Sequence, residues 1–405
     1  MKVAAIISEY NPFHYGHLYQ VNKIRDILGE DTAIVAVMSG NFTQRGEIAI
    51  ADKTVRAEAA VRAGVNLVLE IPFPFCMSSA EIYAKSGVKI ADSIGVVDYL
   101  VFGSELGNID ELKRIASNML SPELSMEIGK IQKEADGREI GYPKASELAY
   151  KRLFPNENTD GIFSPNNILA LEYIKALMEK NSKIEPLTIK REGAGYTSPL
   201  IPESNIQSAS AIRETLRKDL NSAMDYIPNS AKEAFLEAEK AGKFPTDERR
   251  LDTAVISILR LNSPDRIENI HDTAGGLYNR LYDLSHKTAT ISQLVNTAET
   301  KKFTKSRIRR AIYYSCFGVT SSEVTALPSY TQVLALDGVG RKLLREIGKM
   351  TDIPVITKPS DYSGLGEDVI SQKELSHRAD SVFLLSQSVP SQKRFYLTFT
   401  PYVKK

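Results

Sequence analysis

Cysteine occurs only twice in the 405 residues, at Cys76 and Cys316, and tryptophan is absent. Two cysteines so far apart can build neither a disulfide framework nor a cysteine-based zinc site. No apolar run approaches the roughly 18 uncharged residues a membrane span needs. The apolar start, Val3 to Ile7, soon meets Glu9 and is followed by no small-residue cleavage pattern, so it reads as a buried first strand and not as a signal segment. These absences point to a cytoplasmic protein with no membrane contact. An excess of one charge is missing too: 51 Lys and Arg face 50 Asp and Glu, a net of +1. Its distribution says more. Residues 251–405 carry 21 basic against 15 acidic side chains, and residues 1–250 carry 30 against 35. Any nucleic-acid contact is therefore expected late in the chain.

The composition that remains is that of an ordinary soluble protein, 42% apolar and 25% charged. The length suggests two or three domains. The first hundred residues alternate strand and helix. Val3–Ile7, Ala33–Met38, Leu67–Ile71 and Val97–Phe102 are short apolar runs, as in strands covered on both faces. Between them His17–Leu28, Lys53–Ala63 and Ala80–Ile94 carry apolar residues at helical spacing. Repeated βα units imply an α/β fold with a doubly wound parallel sheet, whose ligands bind at the carboxyl ends of the strands. Residues 104–180 read as mostly helical, with Pro165 opening a helix, and Ile184–Lys190 as a returning strand before the glycine-rich turn 192–195. Ser208 caps a further helix. The composition becomes linker-like near Gly242–Glu248, which suggests an α/β domain over 1–245 and a mainly helical region over 246–405. Short strands are expected at 355–357 and 395–399.

The strongest local signal is Asn11-Pro12-Phe13-His14-Tyr15-Gly16-His17, which directly follows the first strand and opens the first helix. A helix N-terminus offers unpaired N–H groups and partial positive charge, both suited to phosphate. Gly16 lets a nucleotide approach the backbone. Two imidazoles there can donate to phosphate oxygens and stabilise charge that builds at an α-phosphate during displacement. Local capping and packing is the ordinary explanation of such a tetrapeptide. Its place at the first βα turn, holding two of only five histidines in the chain, favours function.

This turn resembles the HxGH motif of the nucleotidyltransferase superfamily. Ile7–Gln20, Met38–Ala51, Leu69–Phe73, Phe102–Glu105, Ser164–Leu169, Lys190–Gly193 and Ser208–Arg213 together resemble the bacterial tRNA(Met) cytidine acetate ligases. The resemblance implies an enzyme that activates acetate with ATP as acetyl-adenylate and passes the acetyl group to the wobble cytidine of elongator tRNA(Met). It implies His14 and His17 as catalytic residues. It places ATP against Ile7, Ser8, Glu9, Tyr10, Asn11, Pro12, Phe13, His14, Tyr15, Gly16, His17, Leu18, Tyr19 and Gln20, and against Gly103, Asn166, Arg191, Ser210 and Arg213. Asn166 is preferred over its neighbour Asn167. Mg²⁺ is expected to accompany ATP, and no dedicated metal cage is visible.

The residues permit this chemistry on their own terms. Acetate is ionised at neutral pH and needs no general base to attack an α-phosphate. The site must supply in-line positioning and electrostatic stabilisation. Ser210 and Arg213, one helical turn apart, suit a triphosphate, though a capped helix with a solvated arginine has the same sequence. Asp52, Lys53 and Arg56 read first as the acidic cap and first turn of the second helix.

Later in the chain, Lys301, Lys302, Lys305, Arg307, Arg309 and Arg310 put six basic residues in ten, with Phe303, Tyr313 and Tyr314 nearby to contact bases. A tRNA partner is expected there. Arg341, Lys342, Arg345 and Lys349 form a second basic helix. Two other readings remain open: a small-molecule adenylyltransferase that releases its adenylated product, and a non-catalytic RNA-binding protein.

Overall fold

The computed structural model describes residues 1–134, 140–157, 161–191, 207–263, 266, 269–390 and 399–404. It opens with β1 (Val3–Ser8), α1 (Tyr15–Leu28), β2 (Ala33–Ser39), α2 (Lys53–Arg62), β3 (Leu67–Ile71), α3 (Ala80–Ser93) and β4 (Tyr99–Ser104). Strand pleating puts Val3, Ala5 and Ile7 on one face of β1 and Ala4 and Ile6 on the other, and each set joins a separate buried cluster. That two-sided burial is why these runs are apolar throughout and do not alternate. β4 starts two residues later than its apolar run suggests, because Asp98 ties off the pairing: its carboxylate accepts the Val3 N–H at 2.7 Å.

The middle of the chain is helical as expected. It comprises α4 (Ile109–Met119), α5 (Pro122–Glu134), α6 (Tyr142–Leu153) and α7 (Pro165–Glu179), then β5 (Glu185–Lys190). There follow α8 (Ala209–Lys218), α9 (Leu220–Met224), α10 (Asn229–Lys240), α11 (Asp252–Leu261), α12 (Leu277–Ser285), α13 (Ile291–Ala298), α14 (Lys305–Phe317) and α15 (Ser321–Thr325). The chain then adds β6 (Thr331–Leu336), α16 (Gly338–Met350), β7 (Val355–Ile356), α17 (Glu367–Phe383) and β8 (Tyr402–Val403). The glycine-rich turn and most of the strand expected at 395–399 lie outside the described residues.

The sheet runs β5-β4-β1-β2-β3-β6-β7, and β8 also pairs with β6. From β5 to β3 it is parallel, and β1 lies between β2 and β4, so the strand order reverses beside β1. A ligand crevice forms at such a reversal. The sheet is mixed, however. β6 arrives from far along the chain and lies antiparallel to β3, with Leu67 opposite Leu336. An added antiparallel edge is a common extension of a parallel sheet. The mainly helical back region thus contributes three short strands to the same sheet.

Residues 242–248 are packed in spite of their linker-like composition. Phe244 is buried against Phe235, and Thr246 donates from its backbone N–H to Ile50 and from its hydroxyl to Ala49, at 2.9 and 2.6 Å. The segment therefore holds the β2–α2 connection in place.

Candidate active site

The α1 helix begins at Tyr15, two residues before the expected start, because His14 caps it. The His14 Nδ1 accepts the Gly16 N–H at 3.0 Å, and the His17 Nδ1 accepts the His14 N–H at 3.2 Å. Each imidazole thus does what a serine and a glutamate do in a capping box. The consequence is chemical. A nitrogen that accepts cannot carry the proton, so both neutral rings are protonated on Nε2 and present that N–H as a donor. The two rings lie 3.9 Å apart between centroids.

Burial, with the charges of Arg191 and Arg213 behind it, lowers His14 to about 3. Burial also pushes His17 well below its usual value, helped by His14 and Arg191. The rings are therefore neutral donors, and the arginines supply the positive charge. In the free protein neither ring is expected to titrate between pH 8 and pH 5, where an ordinary histidine turns over at about 6.5. Because the folded-state value lies below the unfolded one, this contribution to stability is complete above the unfolded value and is lost as pH falls from there through the folded-state value. Site-assigned histidine NMR shifts check this: a midpoint near 6.5 in either ring would contradict the capping geometry.

The turn itself is strained and polar. Tyr10 has φ of 45°, in the left-handed region, and its ring packs against Phe13 and His17. Among the described residues Ser8 Oγ, Tyr10 Oη and Asn11 Nδ2 are buried without a hydrogen-bond partner. Three such atoms within four residues make a cradle that a polar ligand would satisfy.

The fold brings distant expected residues to this turn. From α8, Arg213 donates to the Asn11 carbonyl at 3.0 Å and to Ser210 Oγ and Glu47 at 3.3 Å each. Ser208 caps α8 as expected, accepting the Ala211 N–H. Gly103, near the end of β4, has its open face covered by Arg191: a β-carbon there would lie 3.2 Å from the Arg191 Cγ. The two asparagines divide clearly. Asn167 is buried and fully engaged, accepting from Glu105 and Leu106 and donating to the Gly161 carbonyl. Asn166 is half-buried, donates to Glu105 Oε1 and lies on the outer side of the helix start.

Asp52 caps α2, accepting the Thr54 N–H at 2.8 Å. Lys53 and Arg56 do more than begin a helix. Arg56 is wholly buried and donates to the carbonyls of Glu9, Ser39, Gly40 and Ala51, bracing the ends of β1 and β2. Lys53, also buried, pairs with Glu70 at 2.7 Å and with Asp380 of α17 at 2.6 Å. Asp380 further accepts from Asn41 at 2.9 Å. No sequence pattern links Glu70, Asp380 and Asn41 to Lys53. The one available signal was Glu70 itself, a charge in the otherwise apolar strand β3.

The basic cluster lies at the start of α14, which packs on the β2–α2 connection. Gly46 has φ of 78°, and a β-carbon there would meet Arg309 Cβ and the Arg310 nitrogen at 2.7 Å. Its six cations are not equivalent. Arg309 pairs with Glu248 through both carboxylate oxygens, Arg310 pairs with Asp272 at 2.6 Å, and Arg307 donates to the carbonyls of Asp272 and Ala274. Lys302 donates to the Gly275 carbonyl, Lys305 lies 3.5 Å from Glu299, and Lys301 is exposed. Phe303, Tyr313 and Tyr314 are buried in the core and cannot stack on bases, which corrects that expectation. The second basic helix, α16, starts beside the amino end of β3, where Asp337 accepts from Asn66. Among the described residues no group of three His, Cys, Asp or Glu side chains could hold a metal ion, and no helix is long and apolar enough to cross a membrane.

The family model described as HIGH Nucleotidyl Transferase matches residues 1–395. A tRNA(Met) cytidine acetate ligase of Thermoanaerobacter sp. is 38% identical over 366 residues, which cover 89% of this chain and 90% of the relative. One of Acetivibrio thermocellus is 36% identical over 413 residues, covering 99% of both chains. The crystal structure of Thermotoga maritima TmcAL bound with alpha-thio ATP superposes with a TM-score of 0.91 at 31% identity, over 100% of this chain and 99% of that one.

Proposed function

The chain belongs to the tRNA(Met) cytidine acetate ligase family of HIGH nucleotidyl transferases, and we propose from that premise that it joins acetate to ATP as acetyl-adenylate and passes the acetyl group to the N4 amine of the wobble cytidine of elongator tRNA(Met). The observation that carries the reading is the pair of imidazoles locked as Nε2–H donors at a helix N-terminus, flanked by Arg191 and Arg213. Acetate, already ionised, attacks the α-phosphorus and pyrophosphate leaves. His14 and His17 donate to the oxygens on which charge builds. Arg213 and Ser210 hold the phosphate tail, and the segment Ile7–Gln20 with Gly103, Asn166 and Arg191 holds the rest of ATP. Mg²⁺ enters with the phosphates as part of the substrate. Residues 1–245 carry activation, residues 246–405 carry tRNA binding, and the enzyme works in the cytoplasm.

Incubation with labelled ATP, a panel of small carboxylates and total tRNA, followed by digestion to nucleosides, tests the reading. AMP, pyrophosphate and acetylcytidine are expected. A stable adenylated small molecule with unchanged tRNA would favour an adenylyltransferase instead.

For tRNA, Lys301 and Lys305 are the exposed cations of the cluster, while Lys302 donates to the Gly275 carbonyl and Arg307, Arg309 and Arg310 hold α14 to its neighbours. Replacing both exposed lysines with Gln is expected to weaken tRNA binding and to flatten its salt dependence by about one to two units, at roughly 0.7–0.9 per lost phosphate contact. Binding measured over a range of salt concentrations checks it, and an unchanged slope moves the tRNA site elsewhere.

A further inference from the structure

The two-step reaction proposed above leaves one proton unassigned. As the cytidine N4 adds to the acetyl carbonyl carbon, the C–N bond forms, the bond from that carbon to the AMP oxygen breaks, and an N–H proton must leave. The histidines are unsuited to take it, because each Nδ1 already accepts a backbone N–H and each Nε2 already carries a proton. Arginines do not accept protons. Among the described residues two carboxyls reach the turn, from its own strand and from the β2–α2 connection, Glu9 and Glu47. Glu47 is paired with Arg213.

Glu9 is placed differently. It directly follows β1, its carbonyl is held by Arg56 at 2.6 Å, and its Oε1 accepts the Gln44 N–H at 2.9 Å. The residue is half-buried, and its Oε2 makes no hydrogen bond among the described residues. We infer that the Glu9 carboxylate accepts the N4 proton during acetyl transfer and then releases it to water. This inference rests on the ligase reading.

The surroundings suit a base. Burial raises the Glu9 carboxyl above its ordinary value, opposed by the Gln44 N–H, Arg213 and Arg45 and reinforced by Glu47. Arg56 of α2 faces it, as do the phenols of Tyr83 from α3 and Tyr173 from α7. A carboxylate that holds a proton more tightly than usual is the stronger base near neutrality.

The test uses the full chain with ATP, acetate and tRNA(Met), as wild type, Glu9→Gln and Glu9→Asp. Acetate-dependent exchange of pyrophosphate into ATP reads the first step. Single-turnover acetyl transfer, followed against pH, reads the second. In the wild type, transfer is expected to rise with pH along a one-proton limb. In Glu9→Gln, transfer should fall at least about 10²-fold further than exchange, the usual size of a general-base effect, and the limb should vanish. Glu9→Asp should keep the limb at a lower rate. If Glu9→Gln fails to fold, Glu9→Asp decides through a displaced limb against an unchanged one. Equal losses in both steps, or a limb that survives or stays in place, would overturn the role of Glu9. Absence of exchange in the wild type would instead overturn the ligase reading.

Discussion

His14→Ser and His17→Asn are each expected to slow acetate-dependent pyrophosphate exchange by roughly 10²–10³-fold while the protein stays folded. The substitutions follow from the capping geometry. Serine is a good N-cap and can still accept a backbone N–H at the start of α1, and the asparagine carbonyl can stand in for the His17 Nδ1. What both remove is the Nε2–H donor. Truncation to alanine would mix that loss with the loss of a cap, worth about 1 kcal/mol. Exchange rates at saturating ATP, read beside a thermal melt, separate the two effects. A folded variant within about threefold of wild type, less than 1 kcal/mol of barrier, would show that the imidazoles only cap the helix.

Lys53→Met is expected to have the largest effect on stability. It leaves Glu70 and Asp380 facing each other in the core with no cation between them, and breaking a buried pair from one side costs about 3–5 kcal/mol. Because Asp380 belongs to α17 and also accepts from Asn41 in the β2–α2 connection, the loss should loosen the attachment of the back region to the sheet. The triple change Lys53→Met, Glu70→Gln, Asp380→Asn should recover much of it, since neutral groups need no counter-charge. Urea midpoints of the three proteins check both statements. A loss under about 1 kcal/mol for Lys53→Met would mean that the cluster contributes little beyond packing.

The contrast between these two sites shows what the sequence makes legible. The histidine turn is local: strand, turn and helix are continuous from Val3 to Leu28, so position and spacing alone carry the assignment. The tautomer was not legible, because it depends on which ring nitrogen meets a backbone N–H. The role of Lys53 was hidden for another reason. Its partners lie 17 and 327 residues away, and nothing in a helix-start pattern points to them. A count of cations over 301–310 likewise could not separate Lys301 from Arg309, whose partner Glu248 is 61 residues earlier. The parallel core of the sheet followed from alternating βα units, whereas the antiparallel β6 did not, since its pairing with β3 joins residues far apart in sequence.

The central claim is that acetate oxygen attacks the α-phosphorus of ATP at the His14–His17 turn before any acetyl reaches RNA. Acetate labelled with ¹⁸O in both oxygens tests it in one reaction with ATP and tRNA(Met), with AMP recovered for mass spectrometry. Attack on phosphorus followed by amine attack on carbon leaves one labelled oxygen in AMP for each acetylcytidine formed, and that stoichiometry is the expected result. Unlabelled AMP, or ADP in its place, would contradict an acetyl-adenylate at this site.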